Sequence, residues 1–340
     1  MAGISMKELA DRLGVSTASV SVALRGKSGI SEQTRMRILA EARRLGYDMS
    51  RLSDTQAKGV IEMIDYTYYT QNSAPRNPDP YYSLFVDAAT AAITKKGYTA
   101  LGPIPAMGRE LMADSSAQGY ILLGAGMDTE QLKPYMEGSV PFVISGHPME
   151  ELPVTTVVHD NFYGIHSALR HLADLGHQRI GYVRSIGGPS GDERYEAYQK
   201  GMASLGFDHS GIDIVDIIGR EDFFDTEDIV KRINASFAKQ PPTATAFICD
   251  MDLTAAALMR ALRSIGKIPG KDIAVVGFDD QPVSSLLEPP LTSVRTFEPE
   301  LADACVEALV YNMEHPGARF RHIRIGTELI IRASTYAQDK

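Results

Sequence analysis

Cysteine is scarce in this chain of 340 residues, which contains only Cys249 and Cys305. Two isolated cysteines exclude a disulfide framework and a cysteine-based metal site. The apolar runs stay short of the roughly 18 residues that a membrane helix needs, and the first residues show no charged-then-apolar signal pattern. We therefore expect a protein of a reducing, cytoplasmic setting, with two or three domains of roughly 100–200 residues each.

The common sequence signatures of enzymes are also missing. We find no Walker phosphate loop, no dinucleotide-binding glycine fingerprint and no nucleophile elbow. His159, His166 and His171 follow one another closely, but they lack the matched carboxylates or cysteines of a metal site. The sequence therefore predicts no catalytic residue, no cofactor and no metal ligand.

Charge is distributed unevenly along the chain. The formal net charge is −9 and the pI is near 5.4, values that by themselves argue against nucleic-acid binding. Residues 1–59, however, carry ten Lys and Arg against six Asp and Glu, a net +4 that leaves −13 for the remainder. A basic head on an acidic body confines the attraction for phosphate to the head.

The segment from Met6 to Leu24 predicts two short helices separated by a tight turn. Gly14 supplies the left-handed conformation that ends the first helix, and Ser16 can cap the second. Ser5 and Glu8 have the spacing of a capping box at the start of the first helix. Apolar residues are spaced to form one small core: Leu9, Ala10, Leu13, Val15, Val20 and Leu24.

A third helix is predicted from Ser31 to Leu45, and Gly46-Tyr47 closes it. Its apolar residues can cover the first two helices: Met36, Ile38, Leu39, Ala42 and Leu45. The turn, the caps and the polar helix face together fit a helix-turn-helix, whose second helix enters the DNA major groove. The alternative is an ordinary three-helix bundle.

From Gly59 onward short apolar runs alternate with amphipathic helical stretches. The candidate strands are Val60–Ile64, Tyr120–Leu123, Phe142–Ser145, Thr156–His159, Ile180–Val183, Ile212–Ile217, Ala244–Cys249 and Ile273–Phe278. The helical stretches include Ser83–Lys96, Tyr163–Leu175, Tyr195–Leu205, Glu227–Ala238 and Leu253–Ile265. This alternation predicts an α/β fold of doubly wound parallel sheets covered on both faces.

The alternating region is too long for one compact sheet, so we expect two lobes with ligand positions outside the carboxyl ends of the strands. The break is predicted near Asp160, and Leu291–Thr296 is expected to cross back to the first lobe. The predicted domains are a helix-turn-helix at 1–47, a hinge at 48–59, a first lobe at 60–160 plus 292–320, and a second lobe at 161–291 plus 321–340.

Several motifs in this order resemble those of LacI-family transcriptional regulators over nearly the whole chain. They are the helix-turn-helix, Gly29–Arg35, His171–Gly181, Val275–Asp280 and Pro289–Val294. The resemblance implies a homodimer that binds a near-palindromic operator, with a periplasmic-binding-protein-like core that senses a small molecule. It also implies that effector and operator affinities are coupled, and repression is the usual mode in the family.

Candidate DNA-contacting residues lie at helix starts and on the second helix. Short hydroxyl side chains suited to phosphate contacts are Ser5, Ser16, Ser19, Ser21, Ser31 and Thr34. Each could instead serve only as a cap or be solvated. Arg25 adds a charge for phosphate, while Thr17, Ala18 and Val22 occupy the positions at which the family reads bases. Because these three are small or apolar, thymine methyls and groove shape should dominate recognition.

The linker departs from the family pattern. Gln56 stands where the family inserts a Leu into the minor groove, and a polar wedge unstacks bases less favourably. Leu52 could act from a shifted register, with Arg51 beside it as a further DNA contact. A disordered tether that only connects the domains is the alternative.

Effector contacts follow from the same resemblance. Asp279 matches the family carboxylate that accepts ligand donors, while Arg194 and Ser190 match further ligand positions. A charged donor and a charged acceptor facing across a cleft between the lobes would suit a polyhydroxylated ligand.

Four further residues are weaker effector candidates. Asp160 and Asp252 lie at strand ends, where each is either an extra acceptor or a helix-capping carboxylate. Tyr81 and Tyr82 are either stacking aromatics or core residues. A sugar is the expected effector. A nucleobase or another metabolite, and a constitutive or partner-gated DNA binder, remain alternatives.

Overall fold

The computed structural model describes residues 4–25, 29–45, 47, 57–66, 80–106, 116–124, 127–185, 187–207, 213–217 and 226–336. The chain forms two compact units. The first comprises 1–158 and 298–323, and the second comprises 159–297 and 324–340. No helix in the described ranges is long and apolar enough to cross a membrane.

The helices of the described residues are, in chain order, α1 (Met6–Leu13), α2 (Thr17–Leu24), α3 (Glu32–Arg44), α4 (Pro80–Lys95), α5 (Thr129–Glu137), α6 (Asn161–Asp174), α7 (Pro189–Ser204), α8 (Thr226–Lys239), α9 (Asp252–Ser264), α10 (Pro282–Leu286) and α11 (Glu298–Glu314). The strands are β1 (Val60–Asp65), β2 (Thr99–Pro105), β3 (Gly119–Leu123), β4 (Phe142–Ser145), β5 (Thr156–His159), β6 (Ile180–Arg184), β7 (Ile214–Asp216), β8 (Ala246–Cys249), β9 (Ala274–Asp279), β10 (Thr292–Arg295), β11 (His322–Ile325) and β12 (Glu328–Ile330).

The first three helices form as the sequence predicts. Ser5 caps α1 in a capping box with Glu8, and Gly14 ends it with φ of 65° in the left-handed region. Ser16 caps α2 by accepting a hydrogen bond from Ser19 N at 3.0 Å. The side chains buried among the three helices are Leu9, Ala10, Val20, Ala23, Leu24, Ile38, Leu39 and Ala42. The predicted small core is therefore present.

Two arginines of α3 satisfy carbonyl groups at the ends of the other two helices. Arg37 Nη2 donates to Leu13 O at 2.8 Å, and Arg35 Nη1 reaches Ala23 O at 3.5 Å. The last carbonyls of a helix have no partner within the helix. These contacts therefore fix α3 against both α1 and α2.

Each unit contains one sheet. The strand order is β11-β5-β4-β3-β1-β2 in the first sheet and β12-β10-β9-β8-β6-β7 in the second. The neighbouring pairs from β2 to β5 are parallel, as are those from β7 to β10, and β12 is antiparallel to its neighbour β10. The prediction of two doubly wound parallel sheets is confirmed.

The core of the second unit has two apolar layers, one on each face of its sheet. Tyr182 and Phe278 pack in the layer that includes residues of α6 and α7. Val183 and Phe247 pack in the layer that includes residues of α8 and α9. Alternate side chains of a strand point to opposite faces, so near-continuous apolar strands are what a sheet covered on both faces requires.

Three strands besides β10 are absent from the sequence-based prediction. β2 contains Gly102, Pro103 and Pro105, which disfavour strands and are tolerated here because β2 lies at a sheet edge. β11 and β12 are short edge strands with partly exposed residues. None of the three shows the buried apolar run that identified the other strands.

The predicted return of Leu291–Thr296 to the first lobe is wrong. Thr292–Arg295 forms β10, which pairs in parallel with β9 in the second sheet. The chain enters the first unit only from Glu298, at the start of α11, and leaves it again after Ile323. An apolar run alone does not reveal which of two parallel sheets it joins, and this caused the error.

Candidate nucleic-acid interface and effector site

The exposed face of α2 carries the residues predicted to read bases. Thr17 and Ala18 are exposed and Val22 is half-buried, whereas Val20 and Leu24 are fully buried. The buried positions hold α2 against its neighbours, so the small side chains on the other face remain open to a groove. None of these three side chains has a long hydrogen-bonding group.

The hydroxyl side chains at the helix starts serve as caps in the free protein. Ser16 Oγ contacts Ser19 Oγ at 2.9 Å, and Ser31 Oγ contacts Thr34 Oγ1 at 2.7 Å. Ser31 Oγ also accepts from Thr34 N at 3.2 Å. Such contacts place hydroxyl groups at helix N-termini, where backbone N–H groups favour anions. Capping and phosphate contact are therefore compatible roles for these residues.

Arg25 extends the positive surface at the end of α2. Its Nη1 donates to Ser21 Oγ at 2.6 Å, and the residue is exposed. This contact directs the guanidinium along the exposed side of α2. The linker residues Arg51, Leu52 and Gln56 lie outside the described residues.

The second sheet reverses its strand order between β6 and β8, and polar side chains meet there. Ser185, which follows β6, donates to the Asp250 carboxylate from its N at 2.5 Å and from its Oγ at 2.7 Å. Asp250 follows β8 and is fully buried. Ligands of open parallel sheets bind outside the carboxyl ends of strands at such a reversal.

Arg194 lies beside this reversal and is held by four contacts. Its Nε donates to Asn161 Oδ1 at 2.9 Å, its Nη1 to Asp250 O at 2.5 Å, and its Nη2 to Asp279 Oδ1 at 3.2 Å. The guanidinium carbon also lies 3.8 Å from the centre of the Phe278 ring. Because all three nitrogens of the Arg194 guanidinium are hydrogen-bonded, the position of the group is fixed before any ligand binds.

Asp279 and Arg194, which the predicted domain bounds place in the same second lobe, contact each other directly and do not face each other across a cleft. Both belong to the second unit, and they form an ion pair with side chains that are 10% and 9% exposed. The sequence could not show this pairing because it depends on the backbone at the end of β9. There Asp279 and Asp280 have φ of 97° and 50°, in the left-handed region that residues other than glycine rarely adopt.

Asp280 is a structural residue of the site that the sequence reasoning did not identify. Its carboxylate is 3% exposed and pairs with Arg295 at 2.7 Å and with Arg332 at 2.6 Å. Its N donates to Ser293 Oγ at 3.1 Å. These contacts hold the strained turn that aims Asp279 at Arg194. The repeated acid in Asp279-Asp280 was the available signal.

A second unforeseen chain of contacts supports Arg194 from the other side. Asn161 Nδ2 donates to Glu193 Oε2 at 2.6 Å, and Glu193 pairs with Arg324 at 2.7 Å. Asn161, Glu193 and Arg194 are all at least nine-tenths buried. The buried positive charge of Arg194 is therefore matched by acceptors in the free protein.

The carboxylate of Asp252 is fully buried and accepts three hydrogen bonds, each of 2.6 Å. Ser284 Oγ and Gln281 N donate to Oδ2, and Ser293 Oγ donates to Oδ1. Asp252 therefore joins α9, α10 and β10 beneath the Asp279 turn. Asp252 does not cap α9, whose N-cap residue is Met251, and its role as a ligand acceptor stays a prediction.

The remaining candidates have separate positions. Asp160 is the N-cap of α6, where its Oδ1 accepts from Tyr163 N at 2.9 Å. Ser190 is half-buried in the first turn of α7, the helix that carries Arg194. Tyr82 is half-buried in α4 of the first unit, and the side chain of Tyr81 lies outside the described part of the chain.

The buried state of Asp252 predicts a pH-dependent stability. Burial raises the pKa of Asp252 to about 7, and the charge of Asp279 adds to the rise. An unfolded Asp has a pKa of about 3.9, so the folded state binds the extra proton between about pH 4 and pH 7. The stability linked to this proton is present at low pH and is lost as the pH rises through about 7.

We expect the free energy of unfolding of the wild type to fall by about 2–3 kcal/mol relative to that of Asp252→Asn between pH 5 and pH 8, as measured by urea unfolding. The exposed substitution Asp228→Asn serves as the control, and its offset from wild type should stay constant with pH. A carbon-13 carboxyl titration of Asp252 with a midpoint below about pH 5 would contradict the expectation.

Known proteins resemble both the helix-turn-helix head and the region that contains the sheets. The family model described as "Bacterial regulatory proteins, lacI family" matches residues 5–50, and that of a periplasmic binding protein-like domain matches 169–335. The HTH-type transcriptional regulator reg1 of Streptomyces lividans is 26% identical, over 97% of this chain and 96% of its own length.

Solved structures share the fold. A complex of the transcriptional regulator CelR with cellobiose has a TM-score of 0.69 at 24% identity, covering 97% of this chain and 99% of that one. The Lac repressor dimer bound to operator and the anti-inducer ONPF has a TM-score of 0.68 at 20% identity, covering 99% and 100%. The chain therefore combines a head that matches the lacI family of bacterial regulatory proteins with a periplasmic binding protein-like domain, and it is similar to transcriptional regulators of that type over nearly its whole length.

Proposed function

We propose that this regulator is a homodimeric repressor whose operator affinity is controlled by a sugar bound at the carboxyl edge of the second sheet. Arg194 and Asp279 supply the charged donor and acceptor for sugar hydroxyl groups, with Ser190 beside them. The head contacts DNA through α2 and the capped helix starts. The chain has no catalytic assignment in this proposal.

The pre-positioned pair of Arg194 and Asp279 is the observation that carries the proposal. Charge-assisted hydrogen bonds are stronger than neutral ones and suit ligands rich in hydroxyl groups. Cellobiose in the CelR complex supports the choice of a sugar, and the operator-bound Lac repressor dimer supports the assembly.

A thermal-shift screen of the full chain tests the effector class. We expect cellobiose, maltose, ribose or another sugar to raise the melting temperature by an amount that grows with the logarithm of the sugar concentration over its Kd. The matched variant Asp279→Asn should lose that shift. A shift only with a nucleobase or another metabolite would replace the sugar in the proposal. If no compound raised the melting temperature, the result would favour a constitutive DNA binder or one controlled by a partner.

The small reading face of α2 predicts an unusual operator. Val22 and Ala18 offer only methyl groups, so we expect selection of bound DNA from a random pool to enrich thymine-containing half-sites. A dimer should recover two such half-sites related by two-fold symmetry, about one helical turn apart. Recovery of the family's commonest half-site unchanged, or of a single unpaired half-site, would contradict the proposal. Val22→Arg is the matched variant and should shift the selected bases toward guanine.

A further inference from the structure

A cavity lies in the first unit, away from the carboxyl ends of its strands. It has a volume of about 840 Å³ and is bordered by residues that precede β3, β4 and β5 and by the last turn of α11. These residues mark the amino ends of the strands, so we name it the amino-edge cavity. Its size falls within the range of small-molecule sites.

Aromatic side chains form much of its wall. Tyr135 and Phe142 pack with ring centres 5.7 Å apart, and Tyr98 also lines the cavity. Phe320 stands at the rim with 48% of its surface exposed. Tyr98 and Tyr135 are buried, so Phe320 offers the open ring face against which a flat ligand can lie.

Two of the polar residues that line the cavity, Asn312 and Glu314, carry acceptor oxygens. The Asn312 Oδ1 atom is buried and has no hydrogen-bond partner among the described residues, while its Nδ2 is 3.4 Å from Thr155 Oγ1. Glu314 lines the same cavity, and its charge contributes to a raised pKa of Tyr98 after the larger effect of burial. A buried acceptor without a donor costs free energy that a ligand N–H group would recover.

The cavity adjoins the segment that follows the linker to the DNA-binding head. Lys58 N donates to Gly97 O, next to Tyr98, and Gln118 N donates to Val60 O, each at 2.8 Å. The Gln118 carboxamide also packs on Gly59, where an added Cβ would lie 1.8 Å from Oε1. Tyr98 and Gln118 therefore touch both the cavity and the base of the linker.

We propose that the amino-edge cavity binds an amino-substituted heterocyclic base of the adenine type and that this ligand alters operator affinity. The ring stacks on Phe320, and its amino group donates to Asn312 Oδ1. The carboxylate of Glu314 favours a neutral or cationic ligand and disfavours a phosphate. The site is independent of the Arg194–Asp279 pair, because all its lining residues belong to the first unit.

Calorimetric titration of the full chain with adenine up to about 1 mM tests the proposal. Hypoxanthine is the matched probe, because its oxygen would face Asn312 Oδ1 where adenine places an amino group. We expect adenine to bind at one site per chain and hypoxanthine to bind at least about tenfold more weakly. Adenosine and AMP distinguish the free base from its nucleoside and nucleotide, and AMP should be the weakest of the three.

Variants locate the site. Asn312→Leu removes the acceptor and should weaken adenine binding about tenfold, whereas Asn312→Asp keeps an acceptor oxygen and should retain binding. Phe320→Ala should weaken adenine binding several-fold. Phe320 is half-exposed, so its substitution also serves if Asn312→Leu fails to fold. Asp279→Asn should leave adenine binding unchanged. Adenine should also change operator affinity in fluorescence anisotropy.

Three results would overturn the proposal. The first is the absence of a heat of binding with adenine at about 1 mM. The second is adenine binding that persists in both Asn312→Leu and Phe320→Ala, and the third is adenine binding that Asp279→Asn abolishes. The last would assign the base to the carboxyl edge of the second sheet. It would then refute the sugar assignment as well, whereas the first two would leave that assignment intact.

Discussion

Asp279→Asn is expected to abolish the response to the sugar effector while leaving operator binding intact. The substitution keeps the shape of the side chain and removes its charge. Hydrogen bonds to charged groups contribute about 1.5–3 kcal/mol each, so loss of one or two should weaken sugar binding by about 10- to 10,000-fold. Operator affinity in the absence of sugar should stay within about twofold of wild type, since Asp279 belongs to the second unit and the head belongs to the first.

The contacts of Arg194 make this variant informative. Its hydrogen bonds to Asn161 and to the carbonyl of Asp250 remain, as does the packing on Phe278. The guanidinium should therefore keep its place when Asp279 becomes neutral. The lost affinity then reports the carboxylate itself and not a collapse of the site.

Fluorescence anisotropy of labelled operator, titrated with the sugar found by thermal shift, measures the effect. Asp228→Asn is the matched control, because it makes the same chemical change at a surface ion pair with Arg232. That control should respond to sugar as wild type does. A wild-type response from Asp279→Asn would remove Asp279 from the effector site.

The fold was predictable where burial leaves a clear pattern. Strands such as β3 and β9 are continuous apolar runs, and Ser5, Gly14 and Ser16 have the caps that their spacing predicts. β2 was not predictable because Gly102 and two prolines interrupt it, and the edge of the sheet tolerates them. Sequence patterns report burial and capping well, but they report sheet membership poorly.

The candidate site was predictable as a set of residues but not as an arrangement. Arg194 and Asp279 followed from matching motifs, yet their ion pair depends on two consecutive left-handed residues. Asp280 and Asn161 were missed because their partners Arg295, Arg332 and Glu193 are distant or unremarkable in sequence. Buried hydrogen-bond networks are tertiary features that no local spacing encodes.

Gly277→Ala should cause the largest loss of stability, and it tests the buried network directly. Gly277 lies within β9, and an added Cβ would fall 2.2 Å from Asp252 Oδ1 and 2.8 Å from Leu291 Cδ2. Asp252 has no free space to move into, because it is fully buried and holds three donors. We expect a loss of about 3 kcal/mol or more in the free energy of unfolding.

Gly326→Ala provides the control, since an added Cβ there would meet no atom within 4 Å. Its stability should stay within about 0.5 kcal/mol of wild type in urea unfolding. The displaced Asp252 should also release Gln281 N and Ser293, which hold the turn after Asp279. Gly277→Ala should therefore weaken sugar binding even under conditions where the variant remains folded. Wild-type stability and wild-type sugar affinity in this variant would show that the Asp252 network does not support the site.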